Sequence, residues 1–84
     1  MEAKEIVWSQ KFEEDFKKIK DRKTQDRLEK QIMKIRSNMD LGKPLRYDLK
    51  DERTVYVKPY RLLYKTEDGT LVLLRFEHRK RVYG

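Results

Sequence analysis

The apolar residues of this chain change period once, at Gly42-Lys43-Pro44. Before that point Phe12, Phe16 and Ile19, then Leu28, Ile32, Ile35 and Met39, recur every three or four positions, the spacing of one helix face. After it apolar and polar residues alternate, the signature of half-buried strands. A chain that carries both signals in that order has to lay a helical layer on a sheet. The first helix is expected over residues 10–21, with Ser9 as its N-cap, because a serine hydroxyl can accept from a first-turn amide. Glu13, Glu14, Asp15, Lys17 and Lys18 read as its solvent-facing charges. Asp21-Arg22-Lys23-Thr24 is a polar break, Thr24 is read as the next cap, and a second helix follows over residues 24–38. The short break makes the two helices neighbours in an antiparallel pair.

A strand over residues 4–8 precedes the helices. Further strands are expected over residues 45–50, 53–57, 60–66 and 71–76. Asp51-Glu52, Lys58-Pro59 and Glu67-Asp68-Gly69-Thr70 break them, and Pro59 cannot donate to a central ladder. In the last strand strict alternation puts Leu71, Leu73 and Arg75 on one face and Val72, Leu74 and Phe76 on the other. The fold class is therefore α+β. A small, largely antiparallel sheet of order β-α-α-β-β-β-β carries a helical hairpin on one face, in a single domain spanning residues 1–84.

Composition narrows the function. Charged residues make up 44% of the 84, which raises disorder as an alternative, but Leu, Ile, Val and Phe supply 21 residues. That exceeds the roughly one-fifth below which chains stay disordered. With no cysteine, disulfide scaffolds and thiol nucleophiles are excluded, and the lone His78 speaks against a metal site, so no cofactor is expected. No apolar run approaches the roughly 18 residues of a membrane helix, and the first residues do not read as a signal peptide. The expected compartment is the cytoplasm. A net charge of +7 points to a polyanionic or acidic partner.

One helical pair covers one sheet face, which leaves the other open. Alternation places Arg61 and Leu63 together on the strand that begins at Tyr60. Arginine forks onto phosphate and aromatic rings stack on bases, so such a face suits RNA. The densest basic segment is Arg75-Phe76-Glu77-His78-Arg79-Lys80-Arg81, and it runs into Val82-Tyr83. By itself a charge run is a solvated surface.

Read together, three pieces resemble the RelE/ParE superfamily of bacterial and archaeal toxins. They are Leu45 with the strand after Gly42-Lys43-Pro44, the strand Tyr60-Arg61-Leu62-Leu63-Tyr64, and the closing His78-Arg79-Lys80-Arg81-Val82-Tyr83. The resemblance implies a toxin of a type II toxin–antitoxin system. RelE-like members are ribosome-dependent endoribonucleases that cut mRNA in the ribosomal A site, and ParE-like members poison DNA gyrase. The closing motif favours the RelE branch. Carried over by motif, Arg61 and Arg79 would hold the phosphate and Tyr83 would stack on or orient the base. Arg53, Tyr56, Lys58, Arg75, His78, Lys80 and Arg81 would complete the RNA-binding surface. The implied partners are a RelB-like antitoxin, in a heterotetramer with the toxin, together with the ribosome and mRNA.

Metal-free cleavage of RNA uses the ribose 2′-OH as nucleophile, and an always-charged guanidinium suits the dianionic phosphorane. Nuclease members commonly place basic residues in the strand before the Tyr-Arg strand, where this chain has Thr54 and Tyr56. The nearest cations are Arg53 and Lys58, and His78 supplies the chain's one imidazole. The general base stays open among them. The alternatives are a ParE-like gyrase poison and a non-catalytic RNA- or antitoxin-binding module on the same fold.

Overall fold

A computed structural model of the chain describes residues 2–45 and 52–78. Within them the order is β1 (Glu5–Trp8), α1 (Gln10–Lys17), α2 (Arg22–Ser37), β2 (Lys43–Pro44), β3 (Glu52–Val57), β4 (Tyr60–Glu67) and β5 (Thr70–His78). The strands form one sheet of order β1-β5-β4-β3-β2. The three pairings among β2, β3, β4 and β5 are antiparallel, and β1 runs parallel to β5. This is the α+β architecture expected from the change of period. Of the strand expected over residues 45–50, all but Leu45 lies outside the described residues, and the described β2 is Lys43–Pro44, opposite Thr54 and Arg53.

The core sits between the helices and one sheet face. Phe12 and Ile19 meet Leu28, Ile32 and Ile35 there, over Leu62, Tyr64, Leu71, Leu73 and Phe76. Fully burying a side chain such as Leu28 or Leu73 contributes about 1.5–3 kcal/mol relative to exposure. Trp8 is 40% exposed yet packs edge-on against Phe12 and Phe16, with ring centres 4.9 and 5.2 Å away.

Ser9 caps α1 as expected, its Oγ accepting from the Phe12 amide at 3.0 Å. The helix stops at Lys17, short of the expected residue 21. The amides of Lys18 and Ile19 turn back onto the carbonyls of Asp15 and Phe16, which closes the last turn early. Ile19 is still buried, carried by the connector, where Gln25 Nε2 donates to its carbonyl at 2.6 Å. α2 begins at Arg22, two residues before the expected start, with Asp21 at the N-cap position. Thr24 lies inside the first turn, and its hydroxyl donates to Asp21 Oδ2 at 2.7 Å. That bond holds the Asp21 carboxyl below the usual value.

Two readings of the surface need correction, and they share a cause. Strict alternation fails in β5 because the register with β4 shifts between Leu63 and Tyr64. Leu63 faces Arg75 and Tyr64 faces Leu73, which leaves Leu74 unopposed as a β-bulge. The extra residue resets the alternation. Phe76 therefore joins Leu71 and Leu73 in the core, and Arg75 turns to the opposite face. β1 ends beside Leu73, so α1 takes over this edge of β5. Ser9 N donates to the Leu73 carbonyl at 3.0 Å and Ser9 Oγ donates to the Leu74 carbonyl at 2.9 Å. Asp15 Oδ2 accepts from the Phe76 amide at 3.0 Å. Asp15 is thus buried rather than solvent-facing, because it satisfies a backbone donor that no strand reaches. Its Oδ1 accepts from Lys11 Nζ at 2.9 Å, and this carboxylate raises the Lys11 pKa.

Candidate nucleic-acid interface

Directly opposed residues of a sheet share a face. Across the three inner strands, Tyr56, Arg61 and Glu77 form one row, and Thr54, Leu63 and Arg75 form the next. Both rows stand on the face turned away from the helices, since the alternate positions Leu62, Tyr64 and Phe76 are in the core. The β-bulge brings Arg75 onto this face beside Arg61.

Arg61 occupies the middle of its row, on β4, the central strand of the sheet. Its guanidinium is half-buried, and among the described residues its buried Nε has no hydrogen-bond partner. Thr54 Oγ1, in the adjacent row, is likewise buried without a partner. Tyr56 is 45% exposed beside Arg61. Arg75 is exposed and pairs with Glu77 at 3.4 Å. The face therefore offers a half-buried arginine with an unpartnered donor, an exposed aromatic ring and a second arginine. These are the groups that grip phosphate and stack on bases. Thr54 and Tyr56, at the positions where the resemblance leads one to expect basic residues, both face this site.

Other residues expected at the site lie elsewhere. Arg53 is opposite Tyr64, on the helix side of the sheet. Its Nη1 donates to the carbonyls of Gly42 at 2.7 Å and Asp40 at 3.3 Å, and its Nη2 lies 3.6 Å from Asp40 Oδ1. It holds the loop between α2 and β2. His78 is opposite Tyr60, their rings edge-on with centres 5.4 Å apart, and Tyr60 stacks on Phe76 at 4.9 Å. That places His78 in a cleft with Lys11, Lys18 and Tyr60, across the sheet from Arg61. Lys58 is exposed in the β3–β4 turn, and its carbonyl accepts from Arg27 Nη1 at 2.8 Å. Arg79, Lys80, Arg81 and Tyr83 lie outside the described residues. Tyr60 and Tyr64 pack on or in the core, as expected.

Glu77 was not singled out from the sequence, although it completes the row through Arg61. It stood in a basic run, and only the strand register reveals what it faces. A line of cations on α2 was missed as well. Arg27, Lys30 and Lys34 share one stripe at helical spacing. That spacing was legible in the sequence.

The family model described as the ParE toxin of the type II toxin–antitoxin system parDE matches residues 6–83. No curated relative matches the sequence. Among solved structures, the YafQ toxin of E. coli strain BL21(DE3) is 25% identical, with a TM-score of 0.74 over 94% of this chain and 97% of that one. The toxin–antitoxin complex RelBE2 of Mycobacterium tuberculosis is 26% identical, with a TM-score of 0.65 over 94% of each chain. The RelB–RelE complex of Methanococcus jannaschii shares the fold, with a TM-score of 0.76 at 18% identity over 92% of this chain and 94% of that one. With nearly its whole length matched and the same helix-backed sheet, the chain belongs to the ParE toxin family of type II toxin–antitoxin systems and is a RelE-like toxin of the RelE/ParE superfamily.

Proposed function

We propose that this toxin is a ribosome-dependent endoribonuclease that cuts mRNA in the A site and so inhibits translation. The observation that supports this best is the place of Arg61. It stands mid-row on the sheet face turned away from the helices, its buried Nε without a hydrogen-bond partner among the described residues and with Tyr56 and Arg75 as neighbours. In the reaction the ribose 2′-oxygen loses its proton and attacks the adjacent phosphorus. The bond from phosphorus to the 5′-oxygen breaks, and that oxygen takes up a proton. The products are a 2′,3′-cyclic phosphate and a 5′-hydroxyl. Arg61 binds the non-bridging oxygens as their charge grows, and Tyr56 gives a base a ring to stack on. Arg79 and Tyr83 join them by motif.

The working partners are the ribosome, mRNA and a RelB-like antitoxin, and the place of action is the cytoplasm. Complexes solved with antitoxins, such as DinJ–YafQ and RelB–RelE, support the antitoxin assignment. Primer extension on an mRNA translated in vitro tests the reading. Purified toxin is expected to produce cuts inside A-site codons only when ribosomes are present. The double variant Arg61→Ala with Arg79→Ala is expected to produce none, and undiminished cutting by it would sink the mechanism.

A second reading, a gyrase poison, is favoured by the ParE description of the matching family and by the uncharged Thr54 and Tyr56 on the site face. Inhibition of supercoiling by DNA gyrase at micromolar toxin, with no mRNA cuts, would select it.

A further inference from the structure

A groove runs between α2 and β3, from Tyr56 along the helix. Arg27, Lys30, Gln31 and Lys34 form its helix wall, and Lys43 and Leu41 continue it at the sheet edge. No aspartate or glutamate is among the described residues that line it. Arg27, Lys30, Lys34 and Lys43 are all exposed, and none makes an ion pair among the described residues. The acids of α2 do not line the groove. Asp26 and Glu29 border the neighbouring surface with Met33, which Lys30 and Lys34 also line, and Asp26 pairs with Arg22 at 3.9 Å.

Four exposed cations on a groove whose described lining holds no acid leave a strip of positive potential. Arg27 and Lys34 are seven residues apart, so the strip is about 10 Å long along the helix. It is continuous with the candidate site, because Tyr56 lines the groove and is opposite Arg61 in the sheet.

We propose that this groove carries the backbone of a single RNA strand to or from the sheet face, with phosphates on Lys30, Lys34 and Lys43 and one base stacked on Tyr56. The inference rests on the nuclease reading for the identity of the strand, and on the acid-free cationic lining of the groove for its path. Lysines suit the task because an ammonium holds a phosphate as a point charge without fixing its orientation, so the strand can advance.

The test is the binding of a fluorescein-labelled single-stranded RNA oligonucleotide to the purified toxin, read by anisotropy across about 50–200 mM salt. Each phosphate neutralised on a single strand contributes about 0.7 to the slope of log affinity against log salt. Lys30→Gln with Lys34→Gln is expected to flatten that slope by about 1.4 and to weaken binding at low salt. Lys17→Gln with Lys20→Gln removes the same charge from exposed positions outside the groove and is expected to keep the wild-type slope. Circular dichroism checks that both pairs of variants fold. An unchanged slope in the groove variant overturns the proposal. So does a groove variant that binds RNA normally but no longer binds a Glu-rich peptide, which would make the groove a dock for an acidic protein segment. The nuclease reading fails separately. A wild-type toxin whose RNA binding depends on the groove but which cuts no mRNA on ribosomes keeps this inference and loses that one.

Discussion

Asp15→Ala is expected to destabilise the toxin out of proportion to its small loss of volume. The wild-type carboxylate is buried and accepts from the Phe76 amide at 3.0 Å. Alanine removes the acceptor and leaves that amide buried without a partner. An orphaned buried donor costs about 1–3 kcal/mol, and hydrogen bonds to charged groups lie toward the upper part of that range. The better helix propensity of alanine returns about 0.5 kcal/mol. A net loss of about 2 kcal/mol follows, which lowers the melting temperature of a domain this size by about 8–16 °C. Urea unfolding followed by circular dichroism measures it, with calorimetry as a check. Asp15→Asn separates acceptor from charge. Its amide oxygen can still take the Phe76 proton, so it is expected to lose less stability than Asp15→Ala, as is Lys11→Gln, which leaves the Phe76 bond intact. An Asp15→Ala variant within about 0.5 kcal/mol of the wild type, the usual range for surface changes, would refute the role given to Asp15 at the edge of β5. If Asp15→Asn proves as damaging as Asp15→Ala, the Lys11 pair and not the backbone bond is the source.

Arg61→Ala is expected to lower ribosome-dependent cutting by about 10²–10³ while leaving the melting temperature close to wild type, because the buried Nε makes no bond within the described structure. Gly42→Ala is expected to destabilise by about 1–3 kcal/mol in urea unfolding, since an added Cβ would stand 2.8 Å from the Thr54 carbonyl oxygen and 2.8 Å from Tyr64 Oη. Tyr64→Phe is expected to cost about 1–3 kcal/mol, because the phenol accepts from Gly42 N at 2.8 Å and donates to the Met39 carbonyl at 2.9 Å. Burial pushes the Tyr64 phenol above its ordinary value near 10, so the unfolded chain gives up that proton first as pH climbs. Its stabilising contribution is whole below that ordinary value and is lost as pH rises through the folded value. Wild-type urea midpoints measured across the alkaline range should fall, and Tyr64→Phe should lack that share of the fall.

The layer arrangement is legible in the chain's periodicity alone. Phe12, Phe16, Leu28, Ile32 and Ile35 sit at helical spacing, and helices that bury such a stripe need a sheet or another helix to bury it against. Ser9 as a cap, the turns at Lys58-Pro59 and Glu67–Thr70, and the core places of Tyr60 and Tyr64 were legible because each depends on neighbours in sequence or on a simple period. The place of Arg61 on the face away from the helices was legible the same way, from alternation along one strand.

The tertiary structure alone decided what each charge faces. Asp15 looks like one more surface acid, since nothing near it in sequence shows that the Phe76 amide, 61 residues away, lacks a strand partner. Arg53 and Arg61 are both cations on β-rich segments, and only the register sends one to the Asp40–Gly42 loop and the other to the face away from the helices. The bulge at Leu74 has no signature in its own side chain. It arises where β1 ends and α1 takes over the edge of β5, and by adding one residue to the strand it reverses every later face, placing Arg75 next to Arg61 and Phe76 in the core. Strand alternation is a local rule with a phase, and that phase is set by long-range pairing.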